Sequence, residues 1–288
     1  MKQLIAGFLL TIGLGTQISA LDMVVSQSVT NLYVNSASTS TNNKFTADDW
    51  LFTTNFSIKE EIAPGMSIMG GWNMDETTRK RLFTEVQYKS DVITLGVGPY
   101  FGIYNTSKTW IAPGLSTLFQ LDLPGFGYIN TAFQSTFIPL IQSGDYYQNM
   151  ISFGSGLYLP NGIIGLNMEY KRFSEMLDTT VATDDLKAIT ASTEVFKKNF
   201  PLKFGADFRF QSSTREYSVE KLYYSIYSGI VVLKFNYEIN PNFVLFLNSS
   251  SSILNFGYGG FTTSGNTRFA PPSNAYIFAV EIGSRIKI

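Results

Sequence analysis

The chain has 288 residues, a formal net charge of -1, and neither cysteine nor histidine. The missing types exclude disulfides, thiolate and imidazole metal centres, cysteine nucleophiles, Ser-His-Asp triads and histidine general bases, so no enzyme activity and no cofactor is expected. Hydrophobic residues make up 44 % and charged residues 15 %, whereas ordinary soluble domains carry about 25 % charged residues, and there is no basic excess for nucleic acid.

Residues 1–20 read as a signal peptide. Lys2 supplies the positive start, Leu4 to Leu14 the apolar stretch, and Ile18-Ser19-Ala20 a small residue at the cleavage position. The apolar stretch is shorter than the roughly 20 residues of a membrane helix. Residues 21–288 read as one β domain.

That domain runs in a two-residue rhythm. Side chains alternate across a strand, so an alternating segment has one greasy face and one wet face. Val24 to Val34 is the weakest segment, because Gln27 and Asn31 share the parity of Val29 and Tyr33. Trp50 to Lys59 puts Trp50, Phe52, Phe56 and Ile58 on one face; Met66 to Met74 does so with Met66, Ile68 and Trp72. Leu82 to Tyr88 and Val92 to Tyr104 follow, the second with Leu95, Val97, Phe101 and Ile103 opposite Gly96, Gly98, Tyr100 and Gly102. In Trp110 to Asp122 the run Ala112-Pro113-Gly114 reads as a bulge. Gly127 to Phe137, Asn149 to Leu159, Ile163 to Phe173 and Leu186 to Phe196 keep the alternation. It is clearest in Pro201 to Gln211, where Leu202, Phe204, Ala206, Phe208 and Phe210 alternate with Lys203, Gly205, Asp207, Arg209 and Gln211. Tyr223 to Glu238, Phe243 to Leu254 and Tyr276 to Ile288 complete the set.

These segments predict an all-β fold: a transmembrane antiparallel up-and-down β-barrel of about 14 strands, with 12 as the other even count. The connections alternate in length. Ala63-Pro64-Gly65, Pro160-Asn161-Gly162 and Asn240-Pro241-Asn242 are tight-turn chemistry, while Asn35 to Asp49, Ser174 to Asp185, Ser212 to Leu222 and Asn255 to Ala275 are long, polar loops. Short turns on the periplasmic side and long loops outside are the barrel pattern. Trp50, Trp72 and Trp110 at the loop ends, with Tyr88, Tyr237 and Phe243 at the turn ends, are candidates for two aromatic girdles at lipid headgroup level.

The chemistry rests on charges of the inward parity: Glu85, Glu169, Lys171, Glu194, Lys203, Asp207, Arg209, Lys234, Glu281 and Arg285. They concentrate between Ile163 and Glu238 and on the last strand, and the Trp50 to Leu159 wall reads as neutral apart from Glu85. Facing rows of acids and bases would set a transverse field across a pore. Pairing across adjacent strands would instead only stiffen the wall.

With its signal peptide, alternating strands, alternating loop lengths and terminal strand, the chain resembles the bacterial outer-membrane porins, in particular the monomeric fourteen-stranded kind. That resemblance implies a monomer in the outer membrane, in contact with its lipid, which passes small hydrophilic solutes or ions by passive diffusion. The last strand, with Tyr276, Phe278, Val280 and Ile282, looks like the signal read by the barrel assembly machinery. Outer-membrane fatty-acid transporters also have fourteen strands but carry an N-terminal plug of some forty residues. Here only Leu21 to Asp49 is available for one, so a transporter of hydrophobic compounds is the second reading and a non-transporting adhesin or loop-display barrel the third.

Overall fold

The computed structural model describes residues 21–37, 44–75, 79–105, 109–137, 147–177, 180–196, 200–217, 222–263, 266–269 and 274–288. The signal-peptide expectation falls on residues 1–20, outside that set. The described residues form no helix. They form the strands β1 (Leu21–Ala37), β2 (Lys44–Ala63), β3 (Met66–Asp75), β4 (Arg79–Lys89), β5 (Ile93–Asn105), β6 (Thr109–Leu123), β7 (Gly127–Thr136) and β8 (Tyr147–Leu159). The rest are β9 (Gly162–Leu177), β10 (Thr180–Val195), β11 (Leu202–Tyr217), β12 (Leu222–Asn240), β13 (Phe243–Thr263), β14 (Asn266–Phe269) and β15 (Asn274–Lys287).

Each strand pairs antiparallel with its neighbour in the chain until β13, which pairs with β15; β15 then pairs with β1 and closes the sheet. The short β14 pairs with the end of β13 alone. The wall therefore has fourteen strands. An even number is what lets an all-antiparallel sheet close without a parallel seam. Closure brings Leu21 N to Ile288 O at 2.9 Å, beside the tight turns at Pro64-Gly65 and Asn240-Asn242. Gly65 (φ 74°) and Gly125 (φ 76°), the second in the turn between β6 and β7, occupy the left-handed region, where a side chain would be strained.

The barrel is inside out relative to a soluble protein. Val97 (53 % exposed), Ile164 (50 %), Phe208 (49 %) and Ile282 (62 %) stand bare on the outer face. The buried side chains are mostly polar, among them Ser26, Glu85, Gln87, Ser116 and Gln148. A predominantly apolar exterior of this kind needs hydrocarbon around it. At 10, 11 and 10 residues, β3, β4 and β7 match the roughly 9–11 needed to cross a bilayer. With 19 and 21 residues, β12 and β13 run well beyond it. One side of the rim is thus low and the other high.

The wall turns a corner at β5 and β6. Across β5, β4 and β6 approach within 8 Å, and so do β5 and β7 across β6. Flat sheet would hold alternate strands roughly 9–10 Å apart. Gly98 makes this possible, since a Cβ there would lie 1.8 Å from the Thr84 carbonyl oxygen. Inside the corner Tyr100, Ser116 and Gln148 are fully buried.

Two sequence expectations are corrected. No bulge occurs at Ala112-Pro113-Gly114, for β5 and β6 pair without a shift from Ile93↔Leu121 to Asn105↔Thr109. The Pro113 carbonyl accepts from Phe137 N at 2.7 Å, just past the end of β7. The missing proline N–H therefore falls at the end of the β6–β7 ladder, where it costs only the closing bond. Much of the expected loop is also strand. Thr180↔Leu177 continues the β9–β10 ladder into the Ser174 to Asp185 connection, and β13 runs on to Thr263 inside the Asn255 to Ala275 one.

Candidate functional site: the lumen wall

Register fixes which side chains share the inner face. Starting at Ser26, the lumen row runs through Asn55, Asn73, Arg81, Gly102 and Ala112. All ten expected charges fall on this parity. Glu85 is opposite Met69; Glu169 and Lys171 are opposite Ala188 and Leu186; Glu194 is opposite Gly205. Asp207, Arg209 and Lys234 are opposite Val232, Ile230 and Gly205, while Glu281 and Arg285 are opposite Ser28 and Val24. Lys203 is opposite Asn236, its ammonium 6.0 Å from the centre of the Phe196 ring.

The charges do not form facing rows. Glu169 takes Lys171 Nζ at 2.6 Å on its own strand and Arg209 Nη2 at 2.8 Å from two strands away. Asp207 takes Lys234 Nζ at 2.6 Å across β11–β12. Arg285 pairs with Asp22 across the β15–β1 closure. Local pairs of this kind cancel most of the transverse field and leave a hydrated, near-neutral wall. In water such pairs contribute about 0–1 kcal/mol each.

Two of the remaining acids, Glu85 and Glu281, are held by neutral donors. Ser116 donates to Glu85 at 2.5 Å and Gln87 at 3.0 Å, and Lys59 donates to Gln87 at 2.9 Å. Ser26 donates to Glu281 at 2.6 Å and Asn248 at 2.8 Å, and Asn55 and Asn73 extend that chain across β2 and β3. The wall expected to be neutral carries further charges of the lumen parity, among them Lys59, Glu61, Arg81, Lys89 and Asp122. Strand parity alone marks Lys59 and Asp122. Arg81 was hidden because β4 begins earlier than the apolar rhythm does.

The girdle candidates divide. Trp72 (46 % exposed), Tyr88 (51 %) and Tyr237 (49 %) are on the outer face, and Phe243 is half-buried beside them in parity. Trp50 holds the outward register with Phe52, and its side chain lies outside the described set. Trp110 pairs through its backbone with Tyr104, and its side chain, like that of Trp50, lies outside the described set.

Lumen aromatics lie against glycines on the next strand. Phe83 is opposite Gly71, Tyr128 opposite Gly156 and Phe246 opposite Gly283. A Cβ at those glycines would come within 2.3, 2.4 and 2.2 Å of the respective rings. The missing side chain lets each ring lie flat on the wall rather than stand across the lumen. Replacing Gly156 by valine is therefore expected to swing Tyr128 inward. In a closed core such overpacking costs about 1–3 kcal/mol. Here the lumen offers the ring room, so the variant should fold normally and show a lower single-channel conductance. An unchanged conductance would mean that the ring does not border the narrow part.

No family model matches the sequence, and no curated protein is similar to it in sequence. Among solved structures the chain is similar to an outer membrane channel from Pseudomonas putida F1, at TM-score 0.50 and 8 % identity over 95 % of this chain and 97 % of that one. It is also similar to the deltaS2S3 mutant of TodX, a monoaromatic hydrocarbon channel, at TM-score 0.51 and 8 % identity over 93 % and 90 %. Both likenesses extend over nearly the whole of each chain and are likenesses of fold. With its closed fourteen-stranded wall, polar lumen and apolar exterior, the chain has the fold of the outer-membrane β-barrels.

Proposed function

We propose that the protein is an outer-membrane channel for passive diffusion of small hydrophilic solutes or ions. The carrying observation is the lumen wall: hydroxyls, amides and locally paired charges, with aromatic rings folded flat against it. Among the described residues none forms a plug, because β1 takes up Leu21–Ala37 and every other described segment is strand or connecting turn. A route for hydrophobic compounds would call for apolar lining, whereas the inner row of β13 and β1 carries Asn248, Ser250, Ser252, Ser26, Ser28 and Thr30. The alternation of parity and the terminal strand support delivery by the barrel assembly machinery, and the girdles support a lipid-facing monomer.

Reconstitution of the refolded full chain in a planar bilayer tests this. Discrete conductance steps in KCl are expected. No conductance above the bare bilayer would remove the pore reading.

A further inference from the structure

The lumen contains a cavity of about 240 Å³ on its low-walled side. That is below the roughly 300–1,000 Å³ of pockets for drug-sized ligands, so what it holds directly is a small group. The polar side chains Asn55, Asn73, Arg81 and Gln134 line it together with the Phe83 ring.

Arg81 distinguishes this cavity. Among the described side chains of the lumen wall, Arg209 and Arg285 are each bound to a carboxylate, whereas Arg81 Nη1 donates only to the Met150 thioether, at 3.0 Å. A thioether is a weak acceptor, so most of the guanidinium's donors remain available. Glu85, on the same strand, is turned into the corner, with one oxygen on Ser116 and the other on Gln87. Lys171 lies close enough to Arg81 and Arg209 to be repelled by both, and Glu169 is salt-bridged to Lys171 and Arg209. Three cations thus meet one carboxylate, and the region draws anions.

The neutral groups narrow the class. Asn73 donates to Asn55, Asn55 to Ser26 at 3.3 Å, and Gln134 to Ser116 at 3.1 Å. Anchored in this way, the amides keep hydrogen-bonding capacity for a polar solute. Phe83, flat against Gly71, supplies an apolar surface. A guanidinium fork matches a planar carboxylate in two parallel hydrogen bonds, and the ring suits a hydrocarbon portion.

We propose that this cavity is a subsite for small organic carboxylates bearing an apolar ring or chain, with Arg81 on the carboxylate and Phe83 on the hydrocarbon. It rests on the channel reading, since the solute reaches the cavity through the lumen. The test is calorimetric titration of the refolded full chain in detergent with benzoate, benzamide, acetate and inorganic phosphate. Benzoate is expected to bind more tightly than the other three. Arg81→Gln should weaken it by about tenfold or more, as loss of a charged hydrogen-bonding partner does, with folding confirmed by heat-modifiable gel mobility. Phe83→Ala should weaken benzoate more than acetate, a readout that stands even if Arg81→Gln fails to fold. Benzamide binding equal to benzoate, tighter phosphate binding, or undiminished benzoate binding by Arg81→Gln would overturn the proposal. Conductance without benzoate binding would keep the channel and remove the subsite; binding without conductance would do the reverse.

Discussion

Replacing Phe208 by arginine is expected to cost about 2–4 kcal/mol of barrel stability in lipid, the penalty for a basic residue at the bilayer midplane of a β-barrel. Phe208 is 49 % exposed on the outer face of β11, between Phe204 (43 %) and Phe210 (42 %), and its register partners Ala191 and Val231 are also apolar. No acid is available to it there. Its chain neighbour Asp207 points the other way, onto Lys234. Asp207→Asn keeps the side chain's shape and removes an ion pair whose Lys234 end, 38 % exposed, can rehydrate, so its cost should be the smaller of the two. Urea unfolding in lipid vesicles, followed by heat-modifiable gel mobility, should separate the two variants clearly. Equal losses would contradict the assignment of faces in β11.

The same alternation explains what the sequence reveals and what it hides. Where a strand touches lipid, every second residue tends to be apolar, and the wall strands are legible from that tendency, β1 least clearly because Gln27 and Asn31 stand on its outward parity. Above the lipid the tendency lapses while the backbone ladder continues. Thr180 to Asp185 therefore looks like loop and is strand, as is the Asn255 to Thr263 end of β13. Arg81 was lost for this reason, since β4 starts at Arg79, before its first apolar residue at Leu82. The expected bulge at Ala112-Pro113-Gly114 is absent for another. A proline inside a strand signals a bulge, but Pro113 lies where β7 ends, so its absent N–H removes only the closing bond of that ladder and the register continues unshifted. The inward parity of the ten charges was readable, whereas their partners were not. Pairing depends on register between strands, and register places Arg209 beside Glu169 across the width of β10.

That pairing sets the largest functional effect expected. Neutralising both Glu169 and Asp207, as Glu169→Gln with Asp207→Asn, should turn a weakly selective lumen toward anions. Glu169 is the carboxylate on Lys171 and Arg209, and Asp207 the one on Lys234. The double variant strips three cations of their partners without moving a strand. An uncompensated unit charge about 6 Å from a passing ion in water is worth roughly 0.7 kcal/mol. Screening at a Debye length of about 10 Å lowers this, leaving about a two- to threefold enrichment of the counter-ion per charge. These contributions act in the same direction, because all the released charges are positive and line one wall. Reversal potentials in a KCl gradient, measured on wild type and double variant, should therefore move toward the chloride equilibrium potential by an amount well outside experimental scatter. An unmoved potential with intact conductance would show that ions pass by another part of the lumen, beside the serine- and asparagine-lined wall of β13, β15 and β1. A shift toward potassium would contradict the charge balance drawn for this wall.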